Sequence, residues 1–282
     1  MLDSLLNPDK RKVQAQKQAL FAKRQLAILK LLQYQRFEHS GIYVNDHAQM
    51  AFSVHSKCGE DGLILGIFER VGVERHTFVE IGIQDGLECN SANLAIHFGW
   101  SGVMLEGGED YAREAAKNYD SVPRVTIKQS FVTRENINAL FDETKADRDC
   151  DLFSIDIDGN DYWIWEALED FRPRLVVAEY NPYFGPERAV TIPYDPQFAH
   201  RTKYPRGYFG ASLAALNKLA TKKGYALVAG SDLGRNAFFL RRELLSAEVP
   251  EIPLESVYLS RQKERHGVRV VDSIQGLPLV EV

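Results

Sequence analysis

Phe78-Val79-Glu80-Ile81-Gly82-Ile83-Gln84-Asp85-Gly86 is the stretch whose reading decides the fold. Its apolar first half reads as a buried strand, and the strand breaks into a turn that carries two glycines and two carboxylates. Gly82 and Gly86 let backbone amides come close to a ligand, while Glu80 and Asp85 make the turn negative. A negative turn repels phosphate. Glycine turns that hold a pyrophosphate offer it amides and a helix N-terminus, whereas an E-x-G-x-x-x-G turn is better matched to a cation.

Outward from that turn, Asn90 to His97 reads as a helix and Gly102 to Glu106 as a second short strand, which completes a βαβ unit. Glu106 follows Gly82 by about 24 residues, near the ~20-residue spacing at which such units place an acid on ribose hydroxyls. A cationic ligand with a ribose fits S-adenosylmethionine, which carries a sulfonium and an ammonium group. A tight strand-to-helix turn with a surface Glu is the plainer alternative. Upstream, Gly59-Glu60-Asp61-Gly62 reads as a loop starting a helix, where acids suit the N-terminus and where Glu60 or Asp61 could reach the ammonium group.

The alternation continues. Helices are expected over 111–119, 133–144 (with Thr133 as N-cap) and 162–168, and strands over 124–128, 152–157 and 175–179. A helix over 211–222 and a closing hairpin over 225–229 and 236–240 follow. This pattern predicts a doubly wound α/β sheet of the Rossmann-like kind. The expected organisation is an N-terminal helical arm (1–50), a catalytic domain (51–245) with a lid at 182–210, and a C-terminal extension (246–282) with little to read. The arm is basic, lacks glycine from about Pro8 to Phe37, and carries an apolar stripe. That stripe suits packing within the protein or against a second copy, with an anionic membrane surface as the lesser alternative.

Composition narrows the setting. The chain has 282 residues, a formal net charge of −5, and 45% hydrophobic and 26% charged residues, an ordinary balance that does not suggest nucleic-acid binding. Three cysteines without C-x-x-C spacing argue against a disulfide framework or zinc, and for a reducing cytoplasm. No apolar run is long enough to span a membrane, and the N-terminus lacks the basic-then-apolar order of a signal peptide.

The densest polar cluster, Asp156-Ile157-Asp158-Gly159-Asn160-Asp161, sits where an apolar strand ends, and Glu179-Tyr180-Asn181 repeats the device one strand later. Asp156, Glu179 and Asn181, with Asp158 as a further candidate, offer the oxygen ligands that a hard divalent cation such as Mg²⁺ prefers. An Asx turn capping the next helix would use Asp158, Asn160 and Asp161 instead, and the two readings are compatible.

Taken together, Glu80-Ile81-Gly82, Asp85-Gly86, Glu106, the Asp156–Asp161 run and Glu179-Tyr180-Asn181 resemble S-adenosylmethionine-dependent O-methyltransferases of the FkbM type, over roughly residues 53–240. The resemblance implies a Rossmann-like methyltransferase fold and methylation of a hydroxyl on a sugar or glycan, as in antibiotic or surface-polysaccharide biosynthesis. It implies a cofactor site at Glu80, Gly82, Asp85, Gly86 and Glu106, to which Glu60, Ser130 and Asp156 are added as candidates, and Mg²⁺ ligands at Asp156 and Glu179. The chain departs from related metal-dependent enzymes in one respect. A His or Lys soon after the first metal acid is missing, since Gly159, Asn160 and Asp161 follow. Asp158 is then the first choice as proton acceptor, with His200 second.

The 182–210 segment carries Arg201, Lys203 and Arg206 among Tyr194, Phe198, Tyr204, Tyr208 and Phe209. Aromatics stack on sugar faces and basic groups suit carboxylate or phosphate, which makes Arg201, Lys203, Arg206 and Tyr208 substrate-binding candidates for an acidic saccharide. Two rival readings stand beside this one. Asp156-Ile157-Asp158 is also the D-x-D pattern of nucleotide-sugar glycosyltransferases, although the acidic glycine turn has no role there. A non-catalytic scaffold or trafficking protein on the same fold would use the N-terminal helix for docking.

Overall fold

A computed structural model describes residues 50–198, 200, 202–231, 234–258 and 265–282. The expected basic helix within 1–50, apart from Met50, lies outside the described residues, as does Arg201. In chain order the elements are α1 (Glu60–Val71), β1 (Thr77–Ile81), α2 (Ala92–His97), β2 (Ser101–Glu106), α3 (Glu109–Asn118), β3 (Val125–Gln129) and α4 (Ile137–Thr144). There follow β4 (Leu152–Ile155), α5 (Asp161–Ala167), β5 (Leu175–Glu179), β6 (Val190–Thr191), α6 (Leu213–Lys222), β7 (Tyr225–Gly230) and β8 (Asn236–Arg241), then α7 (Leu254–Val257), α8 (Arg265–Ile274) and β9 (Val280–Glu281).

The main sheet has seven strands in the order β3-β2-β1-β4-β5-β8-β7. Its first five strands run parallel, and β8 enters antiparallel to both β5 and β7. The order reverses between β1 and β4, the switch point at which doubly wound sheets open a crevice. The fold is therefore the doubly wound Rossmann-like α/β sheet that the alternation implied.

Both faces of the sheet are covered, so its central strands read as continuous apolar runs. Within β1, Val79 and Ile81 join the core beneath α4, α5 and α6, while Phe78 joins the opposite core beneath α1 and α2. The same alternation splits Val176 and Ala178 from Leu175 and Val177 in β5, and Phe239 from Phe238 in β8. Trp165, Phe153 and Phe238 are among the largest fully buried side chains. Each such ring contributes on the order of 2–3 kcal/mol of burial.

Several boundaries differ from expectation. The fourth helix begins at Ile137, not Thr133, because Asn136 holds the turn before it: its Oδ1 accepts from Thr133 N at 2.8 Å. The fourth strand stops at Ile155, since Asp156 N still bonds Ile81 O at 3.1 Å but the chain then turns through Asp158 at φ 54°. The 182–210 segment is no open flap. Strand β6 within it pairs with β9 from the C-terminal end, and Ile192, Phe198 and Tyr208 pack with Ile274 in a small core of their own.

Candidate active site at the carboxyl ends of the strands

A cavity of about 640 Å³ opens at the carboxyl ends of β1, β2, β4 and β5. Gly82 makes it possible for the β1 and β4 ends to lie so close. A Cβ at this position would stand 1.8 Å from the Asp156 carbonyl oxygen, and the backbone takes φ 86°, a conformation that glycine adopts freely.

Glu60, Glu80, Gly82, Glu106, Ser130, Asp156, Asp158 and Glu179 all line the cavity, so most of the residues singled out in the sequence converge there. Asp85 and Gly86 are not among the lining residues. Asp85 Oδ1 instead accepts from Leu87 N at 3.0 Å, and Gly86 turns toward Tyr119, whose hydroxyl donates to its carbonyl at 2.8 Å. Asp61 also stays out of the cavity. Its Oδ2 accepts from the amides of Val54, His55 and Ser56 at 2.7, 2.7 and 2.9 Å, which fixes the 54–56 segment, and burial pushes its carboxyl up to about 6.

The cavity carboxylates are held by the chain. Glu80, 2% exposed, accepts from the amides of Asn90 and Ser91 at 2.9 and 2.7 Å. Glu106 accepts from Gln84 N at 2.7 Å and Gly108 N at 2.8 Å, which leaves further lone pairs of a carboxylate at a cavity wall. Beside it stand Tyr111 and Phe131, 53% and 52% exposed, large aromatic faces on the cavity lining. Glu60 accepts from Cys58 N at 2.6 Å and from the Asn236 side-chain amide at 2.8 Å.

At the other end, ligand oxygens of Asp156, Asp158 and Glu179 lie within 4.8 Å of one another. Burial and the neighbouring Asp161 and Asp158 charges push the Asp156 carboxyl well up, while burial and Asp156 raise Glu179 well above the usual carboxylate range. Glu179 Oε2 is buried without a hydrogen-bond partner. Crowded acids that resist ionisation, with one orphaned oxygen, fit a divalent cation that would take up the charge.

Asp161 serves the turn instead. Its oxygens accept from Ile157 N at 2.8 Å and Gly159 N at 3.0 Å, at the start of α5. Asn181, expected as a metal ligand, is also used within the chain. It is fully buried, its Oδ1 accepts from Tyr183 N, and its Nδ2 donates to the Gly207 and Phe209 carbonyls, each at 2.8 Å. The amide that looked like a ligand is the tether of the 207–209 loop.

Asp158 and His200 come together, with Nδ1 of the imidazole 3.1 Å from Asp158 Oδ1. The His200 side chain is 8% exposed, and its Nε2 is buried without a partner. Of the expected substrate-binding groups, Arg206 lines a smaller recess next to the acids. Lys203 is spent on Asp195 at 2.7 Å. Tyr208 is 3% exposed and donates its hydroxyl to Pro278 O, so it packs the lid and does not face the cavity. Phe198 of the lid aromatics lines the cavity, as do residues passed over in the sequence: Lys57, Phe131, Arg235 and Asn236. The register of β5 with β8 places Asn236 opposite Glu179, so the closing hairpin was the available signal for Arg235 and Asn236.

Among the described residues, no helix is long and apolar enough to cross a membrane. Compared with protein-family models and with curated proteins, the chain matches none. Among solved structures it is similar to a SAM-dependent methyltransferase from Aquifex aeolicus (10% identity, 62% of this chain, 87% of that one, TM-score 0.39). It is also similar to the O-methyltransferase from Bacillus cereus solved with SAH (14%, 75% and 89%, TM-score 0.42) and to an S-adenosylmethionine-dependent methyltransferase from Clostridium acetobutylicum (10%, 64% and 89%, TM-score 0.42). The fold assignment rests on the order and direction of the strands rather than on these overlaps.

Proposed function

We propose that the chain is an S-adenosylmethionine-dependent O-methyltransferase that uses a divalent cation and acts on a hydroxyl of a sugar or glycan. The observation that carries the reading is one cavity with two differently furnished ends. Glu80 and Glu106, with Tyr111 and Phe131 nearby, line it at the ends of β1 and β2, Asp156, Asp158 and Glu179 gather at the ends of β4 and β5, and Glu60 reaches Asn236, opposite Glu179. Carboxylates suit the ammonium, sulfonium and ribose hydroxyls of the methyl donor, and Tyr111 and Phe131 suit its base. A D-x-D glycosyltransferase would hold its diphosphate through a cation at Asp156 and Asp158, and the acidic glycine turn would then have no role.

When bound, the donor supplies a methyl carbon on a positively charged sulfur, and a divalent cation at the acids supplies polarisation of the acceptor hydroxyl. Glu106 and Glu60, locked by backbone and amide bonds, orient the donor without rearranging. As the C–O bond forms and the C–S bond breaks, the acceptor proton must leave. In this reading His200 Nε2 takes it, from the recess that adjoins the acid cluster, while Asp158 holds Nδ1 and steadies the resulting imidazolium. This replaces the His or Lys expected soon after Asp156 with one delivered from the lid.

The test is transfer of a labelled methyl group to a panel of glycans, with and without EDTA, in wild type and in Asp156→Ala. Chelation and the substitution should each abolish transfer, while S-adenosylhomocysteine still binds. Full activity in EDTA would take the cation out of the mechanism, and absence of transfer to any hydroxyl would count against the whole reading.

A further inference from the structure

We propose that Arg206 and Arg235 clamp an anionic oxygen group on the acceptor, so that the substrate is an acidic saccharide bearing a carboxylate or a phosphate. The proposal rests on the methyl-transfer reading for what happens to the acceptor, but the clamp itself stands on separate residues. Both arginines line a recess of about 60 Å³ together with Tyr183, His200, Asp158 and Glu179. Asp158, Glu179 and Arg235 line the main cavity as well, so a ligand with its anionic group in the recess would present neighbouring hydroxyls to the acid cluster.

Exposed arginines are common; two from distant parts of the chain facing one small recess are not. Neither has a carboxylate partner within ion-pair distance among the described residues, whereas Lys203 of the same lid is paired with Asp195. The backbone presents both in fixed positions. Tyr180 N donates to Arg235 O at 2.8 Å, and Arg206 precedes Gly207, whose carbonyl accepts from the buried Asn181 amide. The buried Asn181 thereby acts as a positioning residue for Arg206. The Arg235 charge acts on the nearby Glu179 carboxyl, yet no acid of the recess stands within ion-pair distance of either guanidinium. Asp158 has His200 beside it, and Glu179 belongs to the cluster that fits a divalent cation. Planar guanidinium forks favour carboxylate and phosphate oxygens over neutral hydroxyls.

The experiment titrates the full chain with glucuronate, glucose 6-phosphate and glucose by ligand-observed NMR. Each titration is repeated in Arg206→Gln, Arg235→Gln and Arg235→Lys, with S-adenosylhomocysteine binding measured on every sample. At least one charged sugar should bind at least about tenfold more tightly than glucose and be displaced by inorganic phosphate. Each Arg→Gln change should weaken it by about tenfold. Arg235→Lys should recover part of the loss, and S-adenosylhomocysteine binding should be unchanged in Arg206→Gln, whose side chain lines the recess and not the main cavity. Binding of glucuronate alone or of glucose 6-phosphate alone tells carboxylate from phosphate. Equal binding of glucose, charged-sugar binding indifferent to both arginines, or no charged-sugar binding by protein that binds S-adenosylhomocysteine would each overturn the clamp. If S-adenosylhomocysteine fails to bind while the charged sugars follow the arginines, the methyl-transfer reading falls and the clamp remains.

Discussion

Asp61 shows how a single residue can look like a ligand and act as a strut. Its carboxylate gathers three backbone amides that shape the 54–56 segment, and Ser56 of that segment lines the cavity. Burial outweighs those bonds and raises the carboxyl to about 6. A folded-state value above the unfolded one means that the folded protein holds the extra proton between the two. The stabilisation is then complete below about pH 4 and lost as pH rises through 6, on the order of 3 kcal/mol for Asp61. Asp161, also raised to about 6, adds in the same direction. The urea midpoint in EDTA should therefore fall between pH 4.5 and 7.5. Asp61→Asn, which keeps an acceptor for the amides and removes the titration, should flatten the slope; an unchanged slope would contradict this account.

Among elements, the C-terminal segment is the one whose role the sequence concealed. Strand β9 adds to β6, Tyr208 reaches the Pro278 carbonyl, and Ile274 fills the small core that includes Phe198, itself a cavity-lining side chain. A Cβ on Gly207 would stand 2.2 Å from Val270 Cγ1, so α8 lies directly on the 206–208 turn. The C-terminal segment is therefore packed against the 182–210 segment where that segment borders the cavity through Phe198. Ile274→Ala removes a buried aliphatic group at a cost of about 2–5 kcal/mol, confined to this satellite core. Amide exchange at Val190–Ile192 and Phe198 should accelerate by more than tenfold in that variant, with the exchange of β1 and β4 unchanged. Uniform acceleration across both regions would show that the lid core is not an independent unit.

At the scale of the whole molecule, the two ends of the sheet divide the work. At the amino ends, fully buried Asp151 accepts from the amides of Glu74, Arg75 and His76 and sits 3.4 Å from Arg174. At the carboxyl ends lie the crowded acids, where burial and like charge oppose folding. Asp151→Ala should thus cost about 3–5 kcal/mol in urea unfolding, by leaving three amides without their acceptor and taking from Arg174 the buried carboxylate beside its Nε, although Glu74 and two carbonyls still hold the guanidinium, whereas Asp158→Asn should change stability by less than about 1 kcal/mol.

The same division explains what was legible in the sequence. Parallel strands buried on both faces announce themselves as apolar runs, and acids at their carboxyl ends are adjacent in sequence to those runs, so the sheet, Gly82, Glu106, Asp156 and Glu179 could be read directly. Arg235 reaches the cavity only through the antiparallel return of β8, a long-range event without a local signature. At Asn181 the sequence could not separate two uses, because an amide two residues beyond a strand end is suited both to ligating an ion and to tethering a loop, and here the side chain tethers the 207–209 loop.

The central claim is that the carboxylate-lined cavity receives a cationic methyl donor, and calorimetric titration tests it most directly. Wild-type protein titrated with S-adenosylmethionine and S-adenosylhomocysteine should give saturable heats, and Glu106→Ala should weaken both by at least about tenfold. Absence of heat with both compounds, together with saturable binding of a nucleotide diphosphate sugar, would contradict the account.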